Sequence, residues 1–291
     1  MKTQIEKLER TACPVCGGSR VRPKSYRFDP FAVVACGDCP AWYTSPRLRP
    51  EAMEEAYRGQ YFESGNHGYS SYQRQERSLK LTFGWLLGML AARGVIDAQR
   101  PRSQPRALLE IGSAYGFLLE LARPYFDELV GTDYSEEAAR RAARNSGARM
   151  ILGGIDDVPE SDSFDLVLCT HVIEHVYDPP RFVQQARDRL KPGGWLVMTT
   201  PNMDSWLRHL FRSRWPSFKV PEHVVLYNKA CLRRLLEDHG FGSVTTFTAR
   251  EMFPLSVILE KFGLRLDGVL SRIPVWVPGT TIGVIGRRDP A

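Results

Sequence analysis

From Ala107 onward the chain alternates short apolar runs with longer amphipathic ones. "ALLEIG" has the length of a buried strand, and "FLLELARPY" after it has helical spacing that stops at Pro124. "ELVGTD" predicts a second strand, then "SEEAARRAARN" a helix, with Ser135 as its N-cap and Gly147 just past its end. "ARMILGG" and "FDLVLCT" follow as third and fourth strands. "PPRFVQQARDRL", with proline in its first turn, reads as a helix closed by "KPGG", and "WLVMTT" is the fifth strand. Strands alternating with helices at this pitch predict an α/β fold, a parallel sheet covered on both faces. The end differs: after the helix "NKACLRRLLEDHGF", capped by Asn228, two strands "SVTTFTAR" and "TTIGVIGRR" are separated by a medium insertion. The last can therefore return antiparallel at the sheet edge.

Upstream the pattern divides twice. The first 50 residues hold Cys13-Pro-Val-Cys16 and Cys36-Gly-Asp-Cys39. Two C-x-x-C knuckles at that separation can set four thiolates tetrahedrally around one structural zinc, with glycines relaxing the knuckle turns. Residues 51–104 form a helix-rich linker with an aromatic, glycine-broken middle, "YFESGNHGYSSYQ", that could serve as a lid. The polar, proline-bearing "DAQRPRSQPR" then leads into a domain spanning 105–291. Cys169 and Cys231 sit in apolar contexts and read as core.

Composition changes little. The 291 residues are 43% hydrophobic and 25% charged, ordinary for a globular chain, and a net charge of +6 is mild and scattered. The longest uncharged apolar run, "LTFGWLLGMLAA", is too short for a bilayer span of about 20 residues. The first ten residues carry no export signal, so a cytoplasmic protein is expected.

Ligands of such sheets bind beyond the carboxyl ends of the strands. There the first strand gives Glu110-Ile-Gly112-Ser-Ala-Tyr-Gly116, a glycine turn opening a helix. Asp133 ends the second strand, where a carboxylate can accept both hydroxyls of a ribose. The fourth strand runs into "CTHVIEHVYDPP", whose His171, Glu174 and His175 spell H-x-x-E-H. Peptidases place that motif on a helix; here a strand lies beneath it, so the zinc-peptidase reading fails.

The ordered motifs "LLEIGSAYGFLLELA", "VGTDYS", "SFDLVLCTHVIEHVYDP" and "LKPGGWLVMTTPN", with the closing strands, resemble class I S-adenosylmethionine-dependent methyltransferases over about Ala107 to Arg288. The segment "CPVCG", the second C-x-x-C and "YTSPR" are similar to the zinc-bearing sugar methyltransferase subgroup, although that subgroup's further C-terminal domain is not expected here. The resemblance implies a Rossmann-like seven-stranded sheet with an antiparallel last strand behind a small N-terminal zinc-binding domain. It implies S-adenosylmethionine as cofactor, with Glu110, Gly112 and Gly116 around its amino-acid end and Asp133 on its ribose. Tyr134 and Ile155 would flank the adenine, and Thr170 and His171 the methionine and methyl. Relatives carry an acidic residue where this chain has Gly154, so adenine recognition would fall to the backbone or to Asp156.

Methyl transfer to a hydroxyl wants a base or a metal. The candidates are His175, His223 in "VPEHVVLYN", Glu174 and His171. Some relatives, among them ubiquinone-pathway O-methyltransferases, hold a divalent ion with E-x-x-E-H and a later histidine. Here the first glutamate is His171, which favours zinc if that site binds a second divalent metal. The insertion 202–227, with Trp206, Arg208, Phe211, Arg212, Arg214, Trp215, Phe218 and Lys219, reads as an acceptor lid or as an amphipathic cap on the sheet edge. The expected acceptor is a hydroxyl of a sugar or secondary metabolite; C- or N-methylation of a natural product is a further alternative. RNA is the rival acceptor, opposed by the modest charge and by the missing N/D-P-P-aromatic motif after the fourth strand. A homodimer is allowed, and no membrane partner is expected.

Overall fold

The computed structural model describes residues 7–56, 75–99, 103–260, 264 and 268–290. The lid-like stretch Tyr61 to Gln73 lies outside the described residues. The N-terminal unit is a hairpin, β1 (Val21–Phe28) and β2 (Phe31–Cys36), extended by β3 (Trp42–Thr44). Alternation along β2 buries Val33 and Ala35 and brings Cys36 to its end beside Cys39. Two helices follow, α1 (Pro50–Ala56) and α2 (Glu76–Ala92).

The main sheet then builds as β4 (Ala107–Ile111), α3 (Phe117–Ala122), β5 (Glu128–Asp133), α4 (Glu136–Ser146), β6 (Arg149–Leu152), β7 (Phe164–Thr170), α5 (Pro179–Asp188) and β8 (Leu190–Pro201). After α6 (Trp206–Phe211) and the two-residue β9 (Val225–Leu226) come α7 (Lys229–Glu237), β10 (Phe241–Ala249) and β11 (Thr281–Arg288). The seven strands lie in the order β10-β11-β8-β7-β4-β5-β6, with β11 antiparallel to both neighbours. Every residue of β4 is buried, as a strand covered on both faces requires. One face is closed by α2 through Phe83, Leu86 and Leu90, packed with Leu118 and Val197. The other is closed by α5 and α7.

The helix boundaries follow their side chains. Ser135 Oγ accepts from the Ala138 amide at 3.2 Å and Gly147 turns left-handed at φ 69°, as the sequence predicts. Asn228 caps α7 the same way, accepting from the Cys231 amide at 2.9 Å. "KPGG", expected as the turn closing α5, instead belongs to β8: its pairing with β7 slips between Leu190 and Trp195, so the glycines bend a strand rather than end one. Among the described residues, no helix is long and apolar enough to cross a membrane.

The two sheets are joined by the insertion. Its β9 pairs antiparallel with β3, Val225 opposite Tyr43 and Leu226 opposite Trp42, supplying the fourth strand of the N-terminal sheet. The insertion's aromatics, read from the sequence as an acceptor lid or as a cap on the sheet edge, are largely consumed in this joint. Trp215 and Phe218 are buried, with Phe218 4.8 Å from the Tyr26 ring and 5.3 Å from that of Phe28. Arg208, also buried, donates to the Tyr26 hydroxyl at 2.7 Å. The physical reason is that a small sheet must cover its apolar face, and the insertion is that cover. Trp206, Arg212, Arg214 and Lys219 remain exposed.

Candidate active site

Between β4 and α3 the chain makes its tight turn with Gly112 at φ +70° and Gly116 at φ +71°. A Cβ on Gly116 would stand 2.9 Å from the Ala142 backbone, so glycine is what lets α3 begin against α4. Asp133, only 7% exposed at the end of β5, ties this turn down: one carboxylate oxygen accepts the Ala114 amide at 2.9 Å and the other the Ser135 amide at 2.8 Å. Beneath lies Glu110, 2% exposed, whose Oε2 has no hydrogen-bond partner among the described residues. Burial, with the Asp133 charge adding, pushes its carboxyl well above the usual range.

Tyr134 projects from this corner, 78% exposed, and its hydroxyl stands 2.5 Å from where a Cβ on Gly154 would be. The acidic residue absent at position 154 therefore leaves room that Tyr134 takes up. Ile155 is buried beside it. Asp156 points to α5, accepting from the Arg181 guanidinium at 2.8 Å and from the Gln185 side-chain amide.

Opposite the glycine turn, β7 ends at Thr170, and His171 takes a positive φ of 56° with its amide donating to Thr199 O at 2.9 Å. Such a conformation is uncommon for a residue with a side chain and marks a constrained point. Its ring is held between two carboxylates: Nδ1 is 3.2 Å from Glu174 Oε1 and Nε2 is 3.3 Å from Glu251 Oε1. Burial alone would lower this imidazole's pKa; the two carboxylates, Glu251 first, outweigh it and raise it to about 10. With both ring nitrogens facing carboxylates, His171 is an imidazolium at neutral pH.

Ile173–His175 form a single 3-10 turn, so the H-x-x-E-H residues share no helix face. Glu174 is 1% exposed and accepts from Thr200 Oγ1 at 3.0 Å. Burial would raise its carboxyl, but His171 and the nearby His223 and His175 hold it down at about 2. His175 Nδ1 lies 3.0 Å from Glu222 O and His223 Nδ1 lies 2.9 Å from Ser217 O. A ring nitrogen facing a carbonyl carries the proton, which leaves the lone pair of each ring on Nε2. The two rings meet edge to face at 4.8 Å, and ligand atoms of Glu174, His175 and His223 all fall within 4.8 Å of one another. His171 stands outside that trio. Burial depresses both rings, His175 below its ordinary range and His223 to about 3 with His175 adding to the effect, so both are neutral at pH 7.

The four knuckle cysteines converge as well. Cys13 and Cys39 Sγ are 3.6 Å apart and Cys16 and Cys36 Sγ 3.7 Å, and all four sulfurs lie within 4.8 Å of one another. A tetrahedral Zn–S shell of about 2.3 Å requires sulfurs about 3.8 Å apart, so the residues fit a zinc ion. Cys169 and Cys231 are buried in the core.

Two groups at the site escaped the sequence reading. Glu251 follows β10 and Thr200 lies near the carboxyl end of β8. Both obey the strand-end rule that singled out Asp133, applied to strands where no motif drew attention.

Residues 89–246 match the family model described as "Methyltransferase domain". A ubiquinone biosynthesis O-methyltransferase of Paraburkholderia phymatum is 30% identical over 173 residues, 56% of this chain and 74% of that protein. A protein of Mycolicibacterium smegmatis named "Probable S-adenosylmethionine-dependent methyltransferase" is 32% identical over 142 residues, 48% of this chain and 53% of its own length. The chain thus spans about half the length of several of the curated relatives it matches. In fold it is similar to the magnesium protoporphyrin IX methyltransferase of Synechocystis, solved with bound S-adenosylhomocysteine, at a TM-score of 0.50 and 13% identity, over 82% of this chain and 95% of that one. The seven-stranded sheet with its antiparallel β11, the glycine turn and the matched family model make this chain a member of the class I S-adenosylmethionine-dependent methyltransferases.

Proposed function

We propose that this enzyme methylates a hydroxyl of a small-molecule acceptor, a sugar or a secondary metabolite, with a neutral histidine as the base. The observation that carries the reading is the His175–His223 pair: two neutral imidazoles, each fixed through Nδ1 to a backbone carbonyl, beside the anionic Glu174. His175, the less buried of the two, takes the acceptor proton through Nε2, and Glu174 with His223 stabilises the imidazolium that forms. His171, already protonated, orients Glu174 and is not the base. The O-methyltransferase relative supports an oxygen acceptor.

The cofactor, when bound, supplies a methyl group on a sulfonium leaving group. Glu110, Gly112 and Gly116 hold its amino-acid end; the unpartnered Glu110 Oε2 is the kind of buried acceptor that an ammonium satisfies. Asp133 takes the ribose, Tyr134 and Ile155 the adenine, and Thr170 and His171 border the methyl. Exposed Arg212 and Arg214 meet an anionic group on the acceptor. Residues 1–50 form a zinc ribbon held by Cys13, Cys16, Cys36 and Cys39, residues 51–104 a linker, and residues 105–291 the methyltransferase domain. A second reading, favoured by the clustering of Glu174, His175 and His223, puts a divalent ion on those three groups in place of base catalysis.

The test incubates the protein and its His175→Ala variant with methyl-labelled cofactor and fractionated cell extract, with and without chelator. Label is expected in small molecules, with turnover falling about 10²–10⁴-fold in the variant. Label in RNA overturns the small-molecule reading. Turnover lost to chelator and restored by added metal, with the zinc ribbon still loaded, selects the second reading.

A further inference from the structure

We infer that Thr44 and Arg47, in the N-terminal cysteine-knuckle unit, are positioning residues that set the two histidine-bearing loops against each other. The inference rests on the proposed role of His175 and His223. Those histidines sit on separate loops, one after β7 and one before β9, and their ring geometry depends on how the two loops are held.

The segment Tyr43-Thr-Ser-Pro-Arg47 grips both. Thr44 is fully buried; its hydroxyl donates to His223 O at 2.8 Å and its amide donates to Val224 O at 3.0 Å. Val224 in turn donates its amide to Glu174 O at 2.9 Å, so one chain of hydrogen bonds runs from the knuckle sheet through the His223 backbone to the H-x-x-E-H turn. The grip on the other loop begins two residues past His175. The Tyr177 hydroxyl donates to Leu48 O at 2.9 Å, and the Arg47 guanidinium lies 4.4 Å over the Tyr177 ring. Arg47 Nε is 2.8 Å from Glu9, while its Nη1 is buried with no hydrogen-bond partner among the described residues. The guanidinium is thus held on one side by its pair with Glu9 and on the other by its stack on the Tyr177 ring, at the cost of one unmet donor. Strand β3 carries Thr44 and is paired to β2, whose last residue is Cys36, so the clasp is anchored beside the cysteine cluster. The knuckle unit is thereby a jig for the active site as well as a stable fold.

A merely space-filling Thr44 would tolerate valine, which matches it in volume; the clasp needs the hydroxyl. The experiment uses the zinc-loaded 291-residue chain with ¹⁵N-labelled histidine, ring signals being assigned with His175→Gln and His223→Gln. The readouts are exchange of the ring Nδ1–H with water, the affinity for S-adenosylhomocysteine and the zinc stoichiometry. In Thr44→Val the His223 Nδ1–H is expected to exchange at least tenfold faster, with affinity changed less than twofold and zinc retained. Thr44→Ser restores slow exchange. Arg47→Lys, which keeps the charge but loses the planar stack, shifts the His175 ring signal. Unchanged His223 exchange in Thr44→Val, or a serine variant that behaves like the valine one, overturns the inference. Where Thr44→Val does not fold, an unmoved His175 signal in Arg47→Lys overturns it instead. Transfer of labelled methyl that is indifferent to His175→Ala and His223→Ala refutes the base chemistry while leaving these ring signals as they are, so the two failures are distinct.

Discussion

The glycine-turn wall of the strand-end site and the histidine wall beside it are built in opposite ways. The first is local: Glu110 near the end of β4 and Gly112, Ala114 and Gly116 of the turn after it lie within seven residues of sequence, and Asp133 fastens that turn from the adjacent strand. The second is assembled from remote pieces. His171–His175 follow β7, Thr200 lies near the end of β8, His223 comes from the insertion, Glu251 follows β10, and Thr44 arrives from the knuckle sheet. A local wall answers to its own few residues; an assembled one inherits the stability of every element that contributes to it.

The sharpest way to break that contrast is to destroy the knuckle. Structural zinc sites hold about 10 kcal/mol of folding free energy, so Cys36→Ala is expected to lose the metal and loosen β2, β3 and the paired β9. Methyl transfer should fall at least hundredfold while affinity for S-adenosylhomocysteine stays within about fivefold, because no residue of the glycine turn touches the N-terminal sheet through a strand pairing. Metal analysis and calorimetry measure both. Equal loss of the two would mean that the walls fold as one unit.

Acidity tests the histidine wall. His223 has a folded-state pKa of about 3 against an ordinary 6.5, so between those values the unfolded chain binds more protons and stability falls as pH falls. Glu174, held at about 2 against 4.5, adds a loss of the same sign lower down, up to about 3 kcal/mol in total. His171, raised to about 10, acts on the other side: its contribution is full below 6.5 and is lost as pH rises toward 10. With its ring 37% exposed, solvent screening shrinks that alkaline limb. Comparing the wild type with His223→Gln isolates the acid limb, because Glu110, whose raised pKa contributes with opposite sign, is common to both proteins. The difference in unfolding free energy should change by about 1.4 kcal/mol per pH unit between pH 6 and 4, in urea melts across that range. A flat difference would show that His223 is not buried neutral.

The same contrast governs what could be read from the sequence. Strands β4 to β8, the Ser135 and Asn228 caps and the glycine turn were legible because each is encoded within a few residues. The cysteine cluster was legible because metal-ligand spacing is itself a local code. The pairing of Tyr43 with Val225 was not, because a two-residue strand carries no period. Nor was the burial of Trp215 and Phe218, since an aromatic cap on a sheet and an aromatic lid over a ligand have the same composition. Glu251 was missed for a related reason: a lone carboxylate gains meaning only when the fold brings His171 to it.

On the glycine-turn wall the expected effects are smaller. Asp133→Asn keeps the shape but replaces a charged acceptor with a neutral one, and one amide oxygen cannot serve both the Ala114 and Ser135 amides. Hydrogen bonds to a charged group contribute about 1.5–3 kcal/mol, so the dissociation constant for S-adenosylhomocysteine should rise roughly tenfold to hundredfold. Transfer at saturating cofactor should change far less than in the Cys36→Ala protein. A variant that binds normally but does not turn over would move Asp133 to the histidine wall's side of the comparison.

The smallest effect separates two candidates for the adenine. Asp156 is already engaged by Arg181 and Gln185, so a base edge would have to displace a 2.8 Å ion pair to reach it. Tyr134 offers an exposed aromatic face beside a glycine that leaves it room. Ring stacking is worth about 0.5–1.5 kcal/mol, so Tyr134→Ala should weaken S-adenosylhomocysteine binding roughly threefold to tenfold. With the residue 78% exposed, melting temperature should stay where it is. Asp156→Ala should alter binding less than twofold, since it removes only a solvent-exposed pair. The reverse ranking in calorimetry would mean that the adenine is read by a charge borrowed from α5, and the glycine-turn wall would then be assembled too.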